Sequence, residues 1–148
     1  VARHLVEADA RGHGSHGVGV IPSYVAAAKS GALALGRELS VAFDGGALLI
    51  CDGGRALGQV MAHDAMVLAV ERARRHGACV AALRDSHHVG RIGAYAEQCA
   101  AAGLVSVHFV NVPGAAVVAP FGGTAARLGT NPFAAGFPRE GADPIVVD

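Results

Sequence analysis

The stretch RGHGSHGVGVIPSY, residues 11–24, sets His13 and His16 among four glycines and then meets Pro22 and Tyr24. Gly12, Gly14 and Gly17 spell G-x-G-x-x-G. A dinucleotide-binding loop with that spelling follows a strand and opens a helix. Here the preceding residues, VARHLVEADA, read as a helix, so residues 1–11 and a second helix from about Ile21 to Ser30 flank the loop. The Rossmann reading fails on that order. Glycine serves instead as an adaptable hinge around a working side chain. Gly31 is placed to end the second helix in the left-handed conformation.

Outward from that loop, VAFDGG-ALLICDGG reads as two short strands around Asp44-Gly45-Gly46, a hairpin-type signal. From Leu57 to His76 a helical face forms on Val60, Met61, Met66, Val67 and Val70, and Gly77 stops it. Residues 78–83 read as a buried strand, Ala94–Ala102 as a helix ended by Gly103, and 104–110 as a strand. Short strands are expected near 133–137 and 145–147. The fold class is α/β (mixed α+β): a non-Rossmann mixed sheet with flanking helices and an N-terminal helical segment. Residues 1–38 read as the helical segment carrying the S-H-G loop, and 39–148 as a partial mixed-sheet substrate and cofactor domain. The first residues read as the middle of a helix and PIVVD stops as a strand finishes, so the chain reads as an internal fragment of a longer protein.

Composition narrows the function classes. Of 148 residues 52% are hydrophobic, enough for a core, and 12 basic side chains balance 12 acidic ones. A net charge of zero argues against nucleic acid or an anionic membrane as the main partner, since both need a basic surface. No apolar run approaches the ~18 residues of a membrane span. Cys51, Cys79 and Cys99 are odd in number and widely spaced. They read as reduced, mostly buried thiols of a cytoplasmic protein.

Histidine carries the chemistry. His13, His16, His87 and His88 raise the question of zinc, yet no H-E-x-x-H, C-x-x-C or paired acidic motif accompanies them, so no metal residue is assigned. Histidine also gives and takes protons near neutral pH. His16 and His88 stand out because each lies in a loop between elements, where function concentrates. Ser15 is placed to orient His16 or the substrate. Arg91 reads as a solvated surface residue or as an anchor for a substrate carboxylate, which a guanidinium grips with two parallel hydrogen bonds. Thr130-Asn131-Pro132 reads as turn chemistry or as polar contact to a cofactor.

Taken together, ADARGHGSHG, IPSYV, DGGRALGQVMAHDAM, SHHVGRIGAYAEQCAAAGLVSVHFVNV, VAPFGG and RLGTNPFAAGFP resemble the malate/L-lactate dehydrogenase family that is distinct from the Rossmann-type enzymes, on the bacterial hydroxycarboxylate dehydrogenase branch. The segments follow the family's order over nearly the whole chain. The resemblance implies an NAD- or NADP-dependent oxidoreductase working as a homodimer, with a full length more than twice this chain. It places His16 and His88 as acid/base or substrate-contacting groups, and Tyr24 as the family tyrosine. Asn111, Thr130 and Asn131 fall at the site floor, and Val146, Val147 and Asp148 at the cofactor-contacting strand end. Many members carry a carboxylate-binding arginine where this chain has Val20, so Arg91 is expected to supply the missing charge.

The reaction expected is reversible reduction of a 2-oxo acid to a 2-hydroxy acid, with His16 as the proton donor and His88 orienting the carbonyl. The rival readings are a metal-dependent hydrolase using the histidine cluster and an inactive folding or dimerisation fragment.

Overall fold

The structure, a computed structural model of the chain, describes residues 1–114 and 116–148. Helix α1 (Ala2–Ala10) runs into the glycine stretch, which winds as two 3₁₀ turns, Gly14–His16 and Val18–Val20, before α2 (Ile21–Ser30). Pro22 sits in the first turn of α2, where its missing N–H removes no helical bond. Gly31 closes the helix at φ 77°. Gly17 is a close-approach glycine: a Cβ there would lie 1.7 Å from an Asp9 carboxylate oxygen. That carboxylate accepts a hydrogen bond from the Val18 N–H at 2.9 Å. The loop is therefore pinned to the helix before it. Leu5, Tyr24 and Leu33 form the core of this region, with Val20, Ala27, Ala28 and Leu57 packed against them.

Strands β1 (Ser40–Asp44) and β2 (Leu48–Asp52) pair antiparallel. Helix α3 (Gly58–His76) then crosses over to β3 (Val80–Arg84), which pairs parallel to β2. Helix α4 (Gly93–Ala101) leads to β4 (Ser106–Phe109), β5 (Phe133–Arg139) and β6 (Ala142–Val147), all antiparallel. The mixed α/β class expected from the sequence holds, with the strands divided into two three-stranded sheets ordered β1-β2-β3 and β4-β5-β6. Helix α4 lies close on β5. A Cβ at Gly136 would come within 2.7 Å of the Ala96 carbonyl oxygen.

Two details of the sequence reading change. Strand β3 is covered on one face only: Ala81 and Leu83 pack on the core of Leu49, Cys51 and Ala65, while Val80 is 69% exposed. In α3, Val60 and Val67 face outward, and the buried side is Gly58, Gln59, Met61, Ala62 and Ala65. The small residues bring the helix axis close to its neighbours. Met66 fills the seam, packing against both the Leu49 core and the core of Ala62, Ile92, Tyr95 and Ala134. Cys51 and Cys99 are buried free thiols, and burial pushes the pKa of each up. Among the described residues no helix is long and apolar enough to cross a membrane.

Candidate active site

Parallel strands β2 and β3 end side by side, and the loops leaving them run together. The Gly53 N–H donates to the Arg84 carbonyl at 2.9 Å, Arg55 to Asp85 at 2.6 Å, and His87 to Ala56 at 3.1 Å. Arg55 and Asp85 take left-handed φ values of 58° and 48°. Such residues cost on the order of 1–3 kcal/mol each and persist where surroundings over-determine them. The carboxyl edge of parallel strands is also where open α/β sheets bind ligands.

At this edge two chain segments meet. Tyr24, on α2, places its Oη 2.6 Å from His88 Nδ1, in the loop after β3. Gln59, in the first turn of α3, donates from Nε2 to Tyr24 Oη at 2.5 Å. The glycine loop brings His16 over the same spot, with the His16 and His88 ring centroids 5.1 Å apart. Ser15 Oγ lies 2.8 Å from His16 Nδ1. His87 meets the Tyr24 ring edge-on at 5.4 Å. Both site histidines are thus held through Nδ1, which leaves each Nε2 for a ligand.

Burial, then the neighbouring His16, His87 and His4, pull the His88 pKa down to about 4. Burial also lowers that of His16, with His13 adding to the effect and Asp148 opposing it. Both rings therefore rest neutral near pH 7. An anionic group beside them raises them again, because an opposite charge favours the protonated form.

Arg91 requires correction. It is not a solvated surface residue: its side chain is 3% exposed and its guanidinium is paired within the chain. Its two terminal nitrogens donate to Glu97 Oε1 at 3.1 Å and Oε2 at 2.8 Å. Glu97 also meets Arg11 at 3.2 Å, and Asp148 lies 3.7 Å from Arg91. Alone at the start of α4 a cation would oppose the helix dipole. Two carboxylates instead neutralise two guanidiniums, and the network ties the end of α1 to α4 and to the end of β6.

The residues expected to contact a cofactor gather at the end of the second sheet. The Val110 N–H donates to the Pro132 carbonyl at 3.1 Å and Val112 to Thr130 at 3.3 Å. These bonds continue the β4–β5 ladder past the Phe109–Phe133 pair and set Asn111 against Asn131. Across β5, Val146 pairs with Gly136 and Val147 with Ala135. The Asp148 charge opposes the lowering of the His16 and His108 pKa values. Asn111, Thr130 and Asn131 are exposed. These neutral donors and acceptors fit a nicotinamide nucleotide, whose carboxamide and ribose hydroxyls need both. The Asp148 carboxylate is used internally, accepting the Gly93 N–H at 2.9 Å. Among the described residues no group of three or more His, Cys, Asp or Glu could hold a metal ion.

Sequence reasoning passed over Gln59 and Glu97, and weighed His87 only as a metal ligand. The available signal for Gln59 was an amide inside the apolar run Leu57–Met61, since a buried amide needs a hydrogen-bond partner.

The pattern of the malate/L-lactate dehydrogenase family matches residues 1–148. Hydroxycarboxylate dehydrogenase B of Escherichia coli K12 is 51% identical over 148 residues, all of this chain and 41% of that protein. L-lactate dehydrogenase of Cupriavidus necator is 46% identical over 151 residues, covering 100% of this chain and 43% of the relative. The solved sulfolactate dehydrogenase of Methanocaldococcus jannaschii superimposes with a TM-score of 0.92 at 33% identity, covering 99% of this chain and 42% of that one. The chain thus spans about two fifths of these relatives' length, and across its whole sequence it belongs to the malate/L-lactate dehydrogenase family.

Proposed function

We propose that this chain carries the acid/base part of a 2-hydroxy acid dehydrogenase site, interconverting a 2-oxo acid and a 2-hydroxy acid with NAD or NADP. One observation carries the reading: His16 and His88, from distant loops, bring their rings to 5.1 Å, with no hydrogen bond to either Nε2 among the described residues. Asn111, Thr130 and Asn131 are the residues that would hold the nicotinamide end, with the backbone of Val146 and Val147 beside them. When bound, the nicotinamide supplies or accepts the hydride.

The chain's own task is the proton. As a ketone is reduced, charge builds on its oxygen, and a positioned acid contributes ~10²–10⁴-fold. His16 is the better carrier. Its Nδ1 partner is the Ser15 hydroxyl, which rotates to donate or accept and so tolerates every protonation state of the ring. His88, more deeply held, orients the carbonyl oxygen. The segment 1–38 delivers His16 and Tyr24 to the sheet-bearing segment 39–148. The same reading takes the intact protein as a cytoplasmic homodimer.

The test is a panel of pyruvate, oxaloacetate, 2-oxoglutarate and phenylpyruvate with NADH and with NADPH, following the absorbance of the reduced nicotinamide with the intact protein. His16→Ala is expected to lower kcat at least ~100-fold while cofactor binding survives. Near-normal turnover would remove His16 from the role.

A further inference from the structure

We infer that Gln59, acting through Tyr24, holds His88 as its Nε2–H tautomer, so that His88 is a fixed hydrogen-bond donor to the substrate oxygen and His16 is left to move the proton. The donor's role rests on the dehydrogenase reading, whereas the tautomer does not.

Tyr24 is buried, and its hydroxyl has one proton to give. Gln59 Nε2 already donates to Oη at 2.5 Å, so the Tyr24 proton is left for His88 Nδ1 at 2.6 Å. A neutral imidazole whose Nδ1 accepts carries its hydrogen on Nε2. Gln59 is 4% exposed, and it sits at the start of a helix pressed on the His88 backbone. A Cβ on Gly58 would come within 2.4 Å of the His88 carbonyl oxygen. Amide and imidazole are therefore parts of one rigid unit.

The orientation of the amide decides the tautomer. Turned over, Oε1 would take the Tyr24 proton, Oη would accept from Nδ1–H, and Nε2 of His88 would become a bare base. Two observations favour the orientation described. Gln59 Oε1 is now a buried acceptor without a partner, and His4 Nε2 is another buried polar atom without one. His4 and Gln59 line the same groove, and a Cβ on Gly90 would meet both side chains. Turned over, the amide would set two N–H donors in that groove, where His4 Nε2 can accept at most one of them, so at least one donor would stay unmet and carry a desolvation penalty. His16 stands in contrast, since its serine partner imposes no tautomer. A fixed donor and an adaptable carrier share one substrate oxygen.

The experiment uses ¹⁵N-histidine-labelled intact protein and long-range ¹H–¹⁵N spectra, which distinguish Nδ1 from Nε2 without any turnover. Wild type is expected to show His88 protonated on Nε2. Gln59→Glu is nearly isosteric, and its ionised carboxylate can only accept. Tyr24 then donates to it, Oη accepts from His88 Nδ1–H, and the tautomer reverses. The His88 pKa should rise by about one unit or more. A 2-oxo acid assay of this variant should show kcat down about tenfold, the scale of one lost charge-assisted hydrogen bond, with KM for cofactor unchanged. Gln59→Met, which removes the amide at similar volume, should leave a mixture of tautomers. Nδ1–H in the wild type would overturn the inference. So would folded variants whose tautomer and pKa match the wild type. If the wild type reduced none of the 2-oxo acids while the spectra behaved as expected, the dehydrogenase reading would fall and the tautomer assignment would stand.

Discussion

Arg91→Met separates two roles for a guanidinium beside a reactive site. The side chain is 3% exposed, with Glu97 at 23% and Asp148 at 14%. Removing one partner of a buried ion pair typically costs about 3–5 kcal/mol, because the other charge is stranded. Here Glu97 keeps Arg11 at 3.2 Å and some contact with water, so the lower end applies, about 3 kcal/mol. That is roughly a hundredfold in the folded-to-unfolded ratio. The segment contains no tryptophan, so urea unfolding of the intact protein is best followed by far-ultraviolet circular dichroism. The curve should shift without a change of slope. Adding Glu97→Gln to Arg91→Met should cost less than the sum of the two single changes, as expected for groups in direct contact. KM for 2-oxo acids should move little among molecules that remain folded. An unmoved unfolding curve with KM raised tenfold or more would refute the reasoning and return Arg91 to gripping the substrate.

Acid should loosen the fold through His88. Its pKa in the folded chain, about 4, lies below its ordinary 6.5, so between those values the unfolded chain binds the proton and the folded one does not. Stability is then full above about pH 6.5 and falls as pH drops toward 4, by about 1–2 kcal/mol after discounting for solvent screening. His88→Asn should flatten the stability curve in that window, and a parallel curve would count against the assignment. Gly58→Ala would usually help a helix, but its Cβ would fall 2.1 Å from the His87 carbonyl oxygen. We expect a loss of about 1–3 kcal/mol from overpacking and a fall in kcat of tenfold or more as His88 shifts. A gain in stability there would contradict the packing described.

The helices were legible because their signals are local. Pro22 and Gly31 mark the two ends of α2 within the chain itself, and Gly77 marks the end of α3 at φ 83°. The division of the strands into two sheets was not legible, since it depends on which edges pair, and pairing partners lie far apart in sequence. The same limit misplaced the buried side of α3. Hydropathy promotes Val60 and Val67 and ignores Ala62 and Ala65, yet close packing rewards small residues. Strand β3 read as buried because an apolar run does not reveal whether one face or both will be covered.

At the site the glycines and the family pattern pointed to His16 and His88, with Ser15 and Tyr24 beside them, while the buried amide behind Tyr24 went unnoticed. An imidazole in a glycine loop announces itself, because few other roles explain it. A buried amide such as Gln59 looks like ordinary helix sequence, and only the line from Nε2 through Tyr24 to Nδ1 gives it a purpose. Arg91 shows the opposite case. Read alone, it was a charge in search of an anion. Glu97, six residues on, supplied that anion inside the protein, and the sequence spacing alone could not distinguish a partner within the chain from a substrate across the cleft. Buried polar residues near a reactive pair are therefore better weighed against their possible partners within the chain before a ligand is assigned to them, since in a low-dielectric interior an unmet partner costs more than a met one gains.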